Sequence, residues 1–215
     1  DPGTYNDFHV WIKSGWFAME VATVAVGLIA LRGVPFGFVT APVAFALWYM
    51  SMDLTPIVAG SDDIGWELRK TVSLWFGLAI IVGAYVVDRR AREDFAFWGY
   101  LFGLVAFWGG LTMLNSESEL EKFFYCLINV ALIFAAVFLR RRAFLVFGGL
   151  GIFGYLAYLA GEIFEDSALF PFAVTVAGIA VIALGMALRR HGADWEARAA
   201  AALPEALRRL RPDPR

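Results

Sequence analysis

The stretch from Lys122 to Ser167 reads KFFYCLINVALIFAAVFLRRRAFLVFGGLGIFGYLAYLAGEIFEDS. Two long apolar blocks, Phe123–Leu139 and Ala143 to about Ala160, are joined by three arginines. The second block then runs into an acidic connection without a single Lys or Arg. Each block approaches the roughly 20 residues a helix needs to cross a bilayer core. Backbone groups in hydrocarbon must bond within their own segment, which leaves helices or closed barrels. No period-two alternation of apolar and polar residues is present in the blocks, so the expectation is helices.

The same reading extends along the chain in both directions. Five further blocks run over Ser14–Leu31, about Val34 to Val58, Thr71–Val87, Phe95–Leu114 and about Ala168 to Leu188. The 215 residues are 60% hydrophobic and 18% charged, with a mean hydropathy of +0.65. An ordinary soluble domain holds about 45–50% apolar and about 25% charged residues. The expected fold is all-α, a polytopic transmembrane bundle of seven helices over residues 1–190. A cytoplasmic tail follows over 191–215, where Trp195, Ala199, Leu203, Leu207 and Leu210 recur at helical steps. That pattern predicts an amphipathic helix, with Trp195 and Arg208, Arg209 and Arg211 at the membrane surface. A helix folded back on the inner ends of the bundle fits the pattern equally.

Orientation follows from the basic residues of alternate connections. Arg32, the Arg89–Arg90–Arg92 group, the Arg140–Arg142 triplet and the tail from Arg189 onward hold fourteen cations, against four at Lys13, Arg69, Lys70 and Lys122. Acids tilt the other way, with Asp62, Asp63, Glu67, Glu117, Glu119, Glu121, Glu162, Glu165 and Asp166 on the cation-poor side. An N-terminus outside and a C-terminus in the cytoplasm are expected. The chain starts at Asp1 with no signal-peptide pattern, so a preceding segment or cleaved leader is expected as well.

The connections carry helix-start chemistry. Ser116 and Glu119 have capping-box spacing before the fifth block. Asp63 is placed to cap a lead-in to the third block, and Asp166 or Ser167 to cap the seventh. Gly33 and Pro35 predict a tight turn between the first two blocks.

Two carboxylates fall inside apolar blocks, where a charge is costly and an ionisable residue is a functional candidate. Glu20 lies about six residues in from the outer end of its helix and Asp53 about five from the outer end of the next, which puts both some 8–9 Å below the outer surface. A proton or cation site shared between them is one reading. Two separate carboxylates bonded to neighbours such as Asn129, Tyr125, Thr112 or Asn115 is the other.

Gly99 and Gly103 form a GxxxG pair, and Gly148, Gly151 and Gly154 stud the sixth block, spacings that let helix backbones approach closely. Tryptophans and tyrosines gather toward block ends, as interfacial belts do. His9 and His191 lie outside the apolar blocks and assemble no three- or four-ligand metal set. The one cysteine, Cys126, reads as a buried small apolar residue. No cofactor is expected: no haem-ligating histidine pair lies within a block, no lysine lies in the seventh for a Schiff base, and no phosphate-loop motif is present. The net charge of −2 gives no ground for nucleic-acid binding.

ALWYMSMDL, FWGYLFGLVAFWGGLT, YCLINVALIF and FLVFGGLGIFGYLAYLAGEIFEDSALFPFAVTVAGIAVIALG resemble segments of an uncharacterised family of bacterial multi-pass membrane proteins, of the domain-of-unknown-function kind. The resemblance covers most of Val34 to Leu188 and implies the bacterial inner membrane, but no activity. Three functional readings remain. The chain is a non-catalytic membrane subunit or scaffold packing against other membrane proteins or itself, a proton- or cation-coupled transporter or channel using Glu20 and Asp53, or a membrane enzyme whose site is not visible.

Overall fold

The computed structural model describes residues 2–59, 66–91, 94–113 and 118–164, with scattered positions between 172 and 190. Among them the chain is helical, and no strand occurs. Six α-helices follow in order: α1 (Pro2–Gly33), α2 (Thr40–Ala59), α3 (Trp66–Arg90), α4 (Phe97–Met113), α5 (Glu119–Leu139) and α6 (Arg142–Phe164).

Four of these carry runs long and apolar enough to cross a membrane: Gly15–Gly33, Leu68–Arg90, Leu120–Leu139 and Arg142–Leu159. The apolar runs Gly37–Met52 and Phe97–Met113 are shorter. At 17 residues, α4 spans about 26 Å, at the lower edge of what a roughly 30 Å hydrocarbon core requires. The described residues therefore hold four candidate spans among six helices, where seven crossing helices were expected. Of the seventh block, Phe172, Thr175, Val176, Ile179, Ile182 and Met186 are helical and exposed. The rest of that block, and the tail with Trp195, Arg208, Arg209 and Arg211, lie outside the described residues.

The helices outrun the apolar blocks that announced them. The first was expected from Ser14, yet α1 starts at Pro2 and is 32 residues long, about 48 Å. Hydropathy marks which residues suit lipid, whereas helical hydrogen bonding continues through the polar TYNDFHVWIK lead-in. Likewise α3 takes in Trp66 to Lys70 at one end and Asp88 to Arg90 at the other.

Connections are set by local chemistry. The turn after α1 is closed by Val34 N–H donating to Ala30 O at 2.8 Å and leads into a short 3-10 turn, Gly37–Val39, where the Thr40 hydroxyl donates to Gly37 O at 2.6 Å. The capping box of α5 is Ser118 with Glu121, two residues later than expected: Leu120 N–H donates to Ser118 Oγ at 3.2 Å, and Ser118 N–H donates to Glu121 Oε2 at 3.3 Å. The NSESELEK run carries the S-x-x-E spacing twice, and spacing alone does not choose between the copies. Ser116, Asp63, Asp166 and Ser167 lie outside the described residues. Between α5 and α6, Arg140 takes a left-handed conformation (φ 57°) and its N–H donates to Ala136 O, so a very short connection reverses the chain.

The molecule divides into two compact units, Asp1–Leu114 and Asn115–Arg215. In the first, α2 packs against α1, α3 and α4, and α3 packs along α4. The α3–α4 pair is seamed by glycine. A Cβ on Gly77 would meet Gly103 O at 2.8 Å and the backbone of Phe107; one on Gly110 would meet Lys70 O at 2.7 Å and Leu74 N at 2.8 Å. Gly99 faces Ala84, and Gly103 faces Ile80 and Ile81. Backbones this close gain dispersion contacts and interhelical hydrogen bonds, of which Ser73 Oγ to Ala106 O at 3.0 Å is one. Across α2 and α4 a ladder of rings runs from Trp98 through Phe102 to Trp48, stacked at 6.2 and 6.0 Å, with Phe38 edge-on to Trp98 at 5.6 Å. Trp48 and Trp98 thus pack between helices, whereas Trp16 and Trp75 stand exposed.

In the second unit α5 packs on α6. Gly148 lies against Asn129 O and Ile133, and Gly151 against the Asn129 side chain. Among the described residues a Cβ at Gly154 meets nothing within 4 Å.

Candidate functional sites in the helical units

Glu20 is 8% exposed on α1. Gly27, where an added Cβ would collide with Val43 Cγ2, marks the close approach of α1 to α2. Seven residues back from Gly27 is Glu20, and seven forward from Val43 is Met50, beside the fully buried Ser51. Antiparallel helices step in opposite directions, so Glu20 and Ser51 occupy one level of the α1–α2 pair. The Ser51 hydroxyl donates to Trp48 O at 2.6 Å. Counted from the connection between them, Glu20 stands thirteen residues before Gly33 and Asp53 thirteen after Thr40, about 20 Å along each helix. On the Gly27–Val43 register Glu20 is level with Met50, which puts the Asp53 backbone three residues, about 4.5 Å, further along α2; the Asp53 side chain lies outside the described residues.

Asn129 belongs to the second unit, is fully buried on α5, and donates from Nδ2 to Tyr125 O at 2.8 Å. Its amide is thereby tied to its own helix while its flank rests on Gly151. Asn115 lies outside the described residues. Toward the other end of the α5–α6 pair, Lys122 Nζ donates to the Tyr158 hydroxyl and lies 4.1 Å from the ring centroid, and that hydroxyl donates to Glu162 Oε1 at 3.1 Å. The chain ties its one cation at this end of the hairpin, among the described residues, to a carboxylate through a ring.

One buried acid was not singled out by the sequence. Asp88 is 2% exposed and accepts a hydrogen bond of 3.3 Å from the hydroxyl of Tyr100, itself 1% exposed. Asp88 reads as part of a polar connection because Arg89 and Arg90 follow it. Helix α3 continues through all three, and only α4 packing against it turns Asp88 inward. No local signal in DRRARED separates the inward acid from the outward bases.

A cavity of about 610 Å³ lies among α1 to α4 of the first unit. Leu28, Val43, Leu47, Ile80, Gly83 and Ala96 are among its walls, and the lining is apolar almost throughout. This volume falls in the range of pockets that hold small molecules, about 300–1,000 Å³. Leu28 and Val87 on its rim are about half exposed, so it opens at the surface. Small residues shape it: Ala79, Gly83 and Ala84 on α3, Ala96 just before α4 and Gly99 on α4. With no more than a methyl at those positions the helices leave a trough rather than a sealed core. The sequence signal is the run AIIVGAYVV, which reads as packing until the neighbouring wall is known.

The helical architecture and its apolar spans define the class: an all-α chain of membrane-protein type. Comparison with known proteins goes no further, since no family model, no curated protein and no solved structure matches the chain.

Proposed function

We propose that this protein is a non-catalytic subunit or scaffold of the bacterial inner membrane, crossing it several times with the N-terminus outside and the C-terminus in the cytoplasm, and packing against other membrane proteins or further copies of itself. The observation that carries the reading is the apolar surface of its helices. Met19, Val26, Trp75, Phe134 and Val146 are each more than half exposed, on four different helices. Soluble monomers rarely present contiguous apolar area beyond a few hundred Å². A bilayer or a partner helix satisfies such surfaces, and the glycine seams hold the helices that present them. The alternation of arginine-rich and acid-rich connections supports the orientation, and the resemblance to a bacterial family supports the membrane.

The test is purification of the full chain from alkaline-washed membranes into mild detergent. Retention in the membrane pellet and co-purification with a stoichiometric membrane partner, or as a defined oligomer, is expected. A lone monomer contradicts the subunit reading.

A second reading, proton- or cation-coupled transport, draws on the burial of Glu20 at the level of Ser51 and on Asp53 two residues beyond Ser51 on α2. In proteoliposomes, Glu20→Gln and Asp53→Asn then abolish ion flux; unchanged flux ends that reading.

A further inference from the structure

We infer that the cavity in the first unit is a seat for one membrane phospholipid of anionic headgroup, with an acyl chain lying in the trough and the phosphate meeting Arg32, Arg89 and Arg90. The inference rests on the membrane reading above and adds a ligand to it.

The trough has the dimensions and chemistry of a chain site. It follows α3 from Phe76 to Val87, eleven residue steps or about 16 Å, with its other walls from α1, α2 and α4 and their connections. Its lining is apolar apart from Thr40, whose hydroxyl already donates to Gly37 O. A polar ligand buried there would lose hydrogen bonds to water without replacement, whereas a hydrocarbon chain loses nothing. The rim residues Leu28 and Val87 are exposed, so a chain enters sideways from the surface of the unit.

One end of the trough is marked by charge. The connection after α1 and the segment leading into α4 sit together there, since a Cβ on Gly37 would meet Asp94 O at 2.8 Å and Phe38 packs on Trp98. Arg32 directly follows the lining residue Leu31, and Arg89 and Arg90 follow Val87 by two and three residues. All three are exposed. The carboxylates described at this end are Asp88, buried and bonded by Tyr100, and exposed Asp94. Three exposed arginines therefore outnumber the one exposed carboxylate described here, at the end that the arginine count assigns to the cytoplasmic headgroup layer. Basic clusters between helices at that level recognise phosphate headgroups, and guanidinium forks suit phosphate oxygens.

Gly83 supplies a clean test. It lines the trough, and among the described residues a Cβ there meets nothing within 4 Å, so a side chain can start from this position into the open space. The full chain in mild detergent is titrated with phosphatidylglycerol and with phosphatidylcholine of identical acyl chains, and bound lipid is counted by native mass spectrometry. Wild type is expected to prefer phosphatidylglycerol by about tenfold. Gly83→Leu is expected to lower its retention by about tenfold, as a filled pocket loses its ligand. Gly149→Leu, at an equally open glycine of the second unit, is expected to leave it unchanged. Combined Arg32→Gln, Arg89→Gln and Arg90→Gln is expected to erase the preference and keep residual binding of both lipids. Ala79→Leu repeats the filling test should Gly83→Leu not fold. Equal retention of both lipids by wild type, or undiminished phosphatidylglycerol binding in the filled variants, overturns the inference. Extraction of the chain by alkaline wash overturns the membrane reading as well. A chain that stays in the membrane without lipid selectivity sinks this inference alone.

Discussion

Glycine at Gly77 and glycine at Gly83 stand six residues apart on one helix and answer to opposite physics. At Gly77 an added methyl lands on the backbone of Phe107 and Gly103, which α4 cannot move without opening the seam. Gly77→Ala is expected to cost about 1–3 kcal/mol, as overpacking does, and to lower the melting temperature in detergent. At Gly83 the methyl enters open space, and Gly83→Ala is expected to gain up to about 1 kcal/mol from helix propensity. Arg140 makes a third case. A side chain in the left-handed region is strained by about 1–2 kcal/mol, so Arg140→Gly is expected to stabilise the chain by about 1 kcal/mol. A lowered melting temperature for that variant would mean that the guanidinium does more for stability than the backbone strain takes away. None of these three signs is readable from sequence, because each depends on what stands across from the residue. The same blindness hid Asp88, which looks like loop chemistry next to Arg89 and Arg90 and is in fact an inward acid held by Tyr100.

Elements were far more legible than residues. The apolar blocks located α2 to α6 because lipid-compatible length is a property of composition, needing no knowledge of neighbours. What composition missed was their ends. The polar lead-in from Pro2 to Lys13 is helical although nothing in it is apolar enough to signal a span. The start of α5 shows how a correct pattern can be placed on the wrong residues: both serines of NSESELEK offer an S-x-x-E box, and backbone geometry selects Ser118. Ser118→Ala is expected to cost about 1 kcal/mol, while Ser116→Ala leaves stability unchanged. Thermal melts of the two variants decide it, and an equal loss for both would contradict the assignment. Glycine placement was legible in part. Gly99, Gly103, Gly148 and Gly151 sit at close approaches between helices, whereas Gly154, on the same spacing, has open space before it among the described residues. A three- or four-residue step puts small residues on one stripe, but only the partner helix decides which stripe is the seam.

For the whole molecule, charge organises what hydrophobicity builds. Arginine collects at the end of the first unit where α1 and α3 finish and at the α5–α6 connection, while acids collect at the opposite ends, including the Lys122–Tyr158–Glu162 cluster. That segregation is the ground for the sidedness proposed for the trough and its arginines, with Glu20 toward the opposite end of the first unit. It is tested most directly on α6, whose two ends carry the extremes of the pattern. In a Cys126→Ala background, single cysteines at Arg141→Cys and Glu162→Cys are labelled with a membrane-impermeant maleimide in sealed, oriented vesicles. Labelling from opposite sides is expected, with Glu162→Cys reached from outside and Arg141→Cys only from the cytoplasmic face. Labelling of both from the same side would contradict a membrane-crossing α6 and, with it, the sidedness of every site described above.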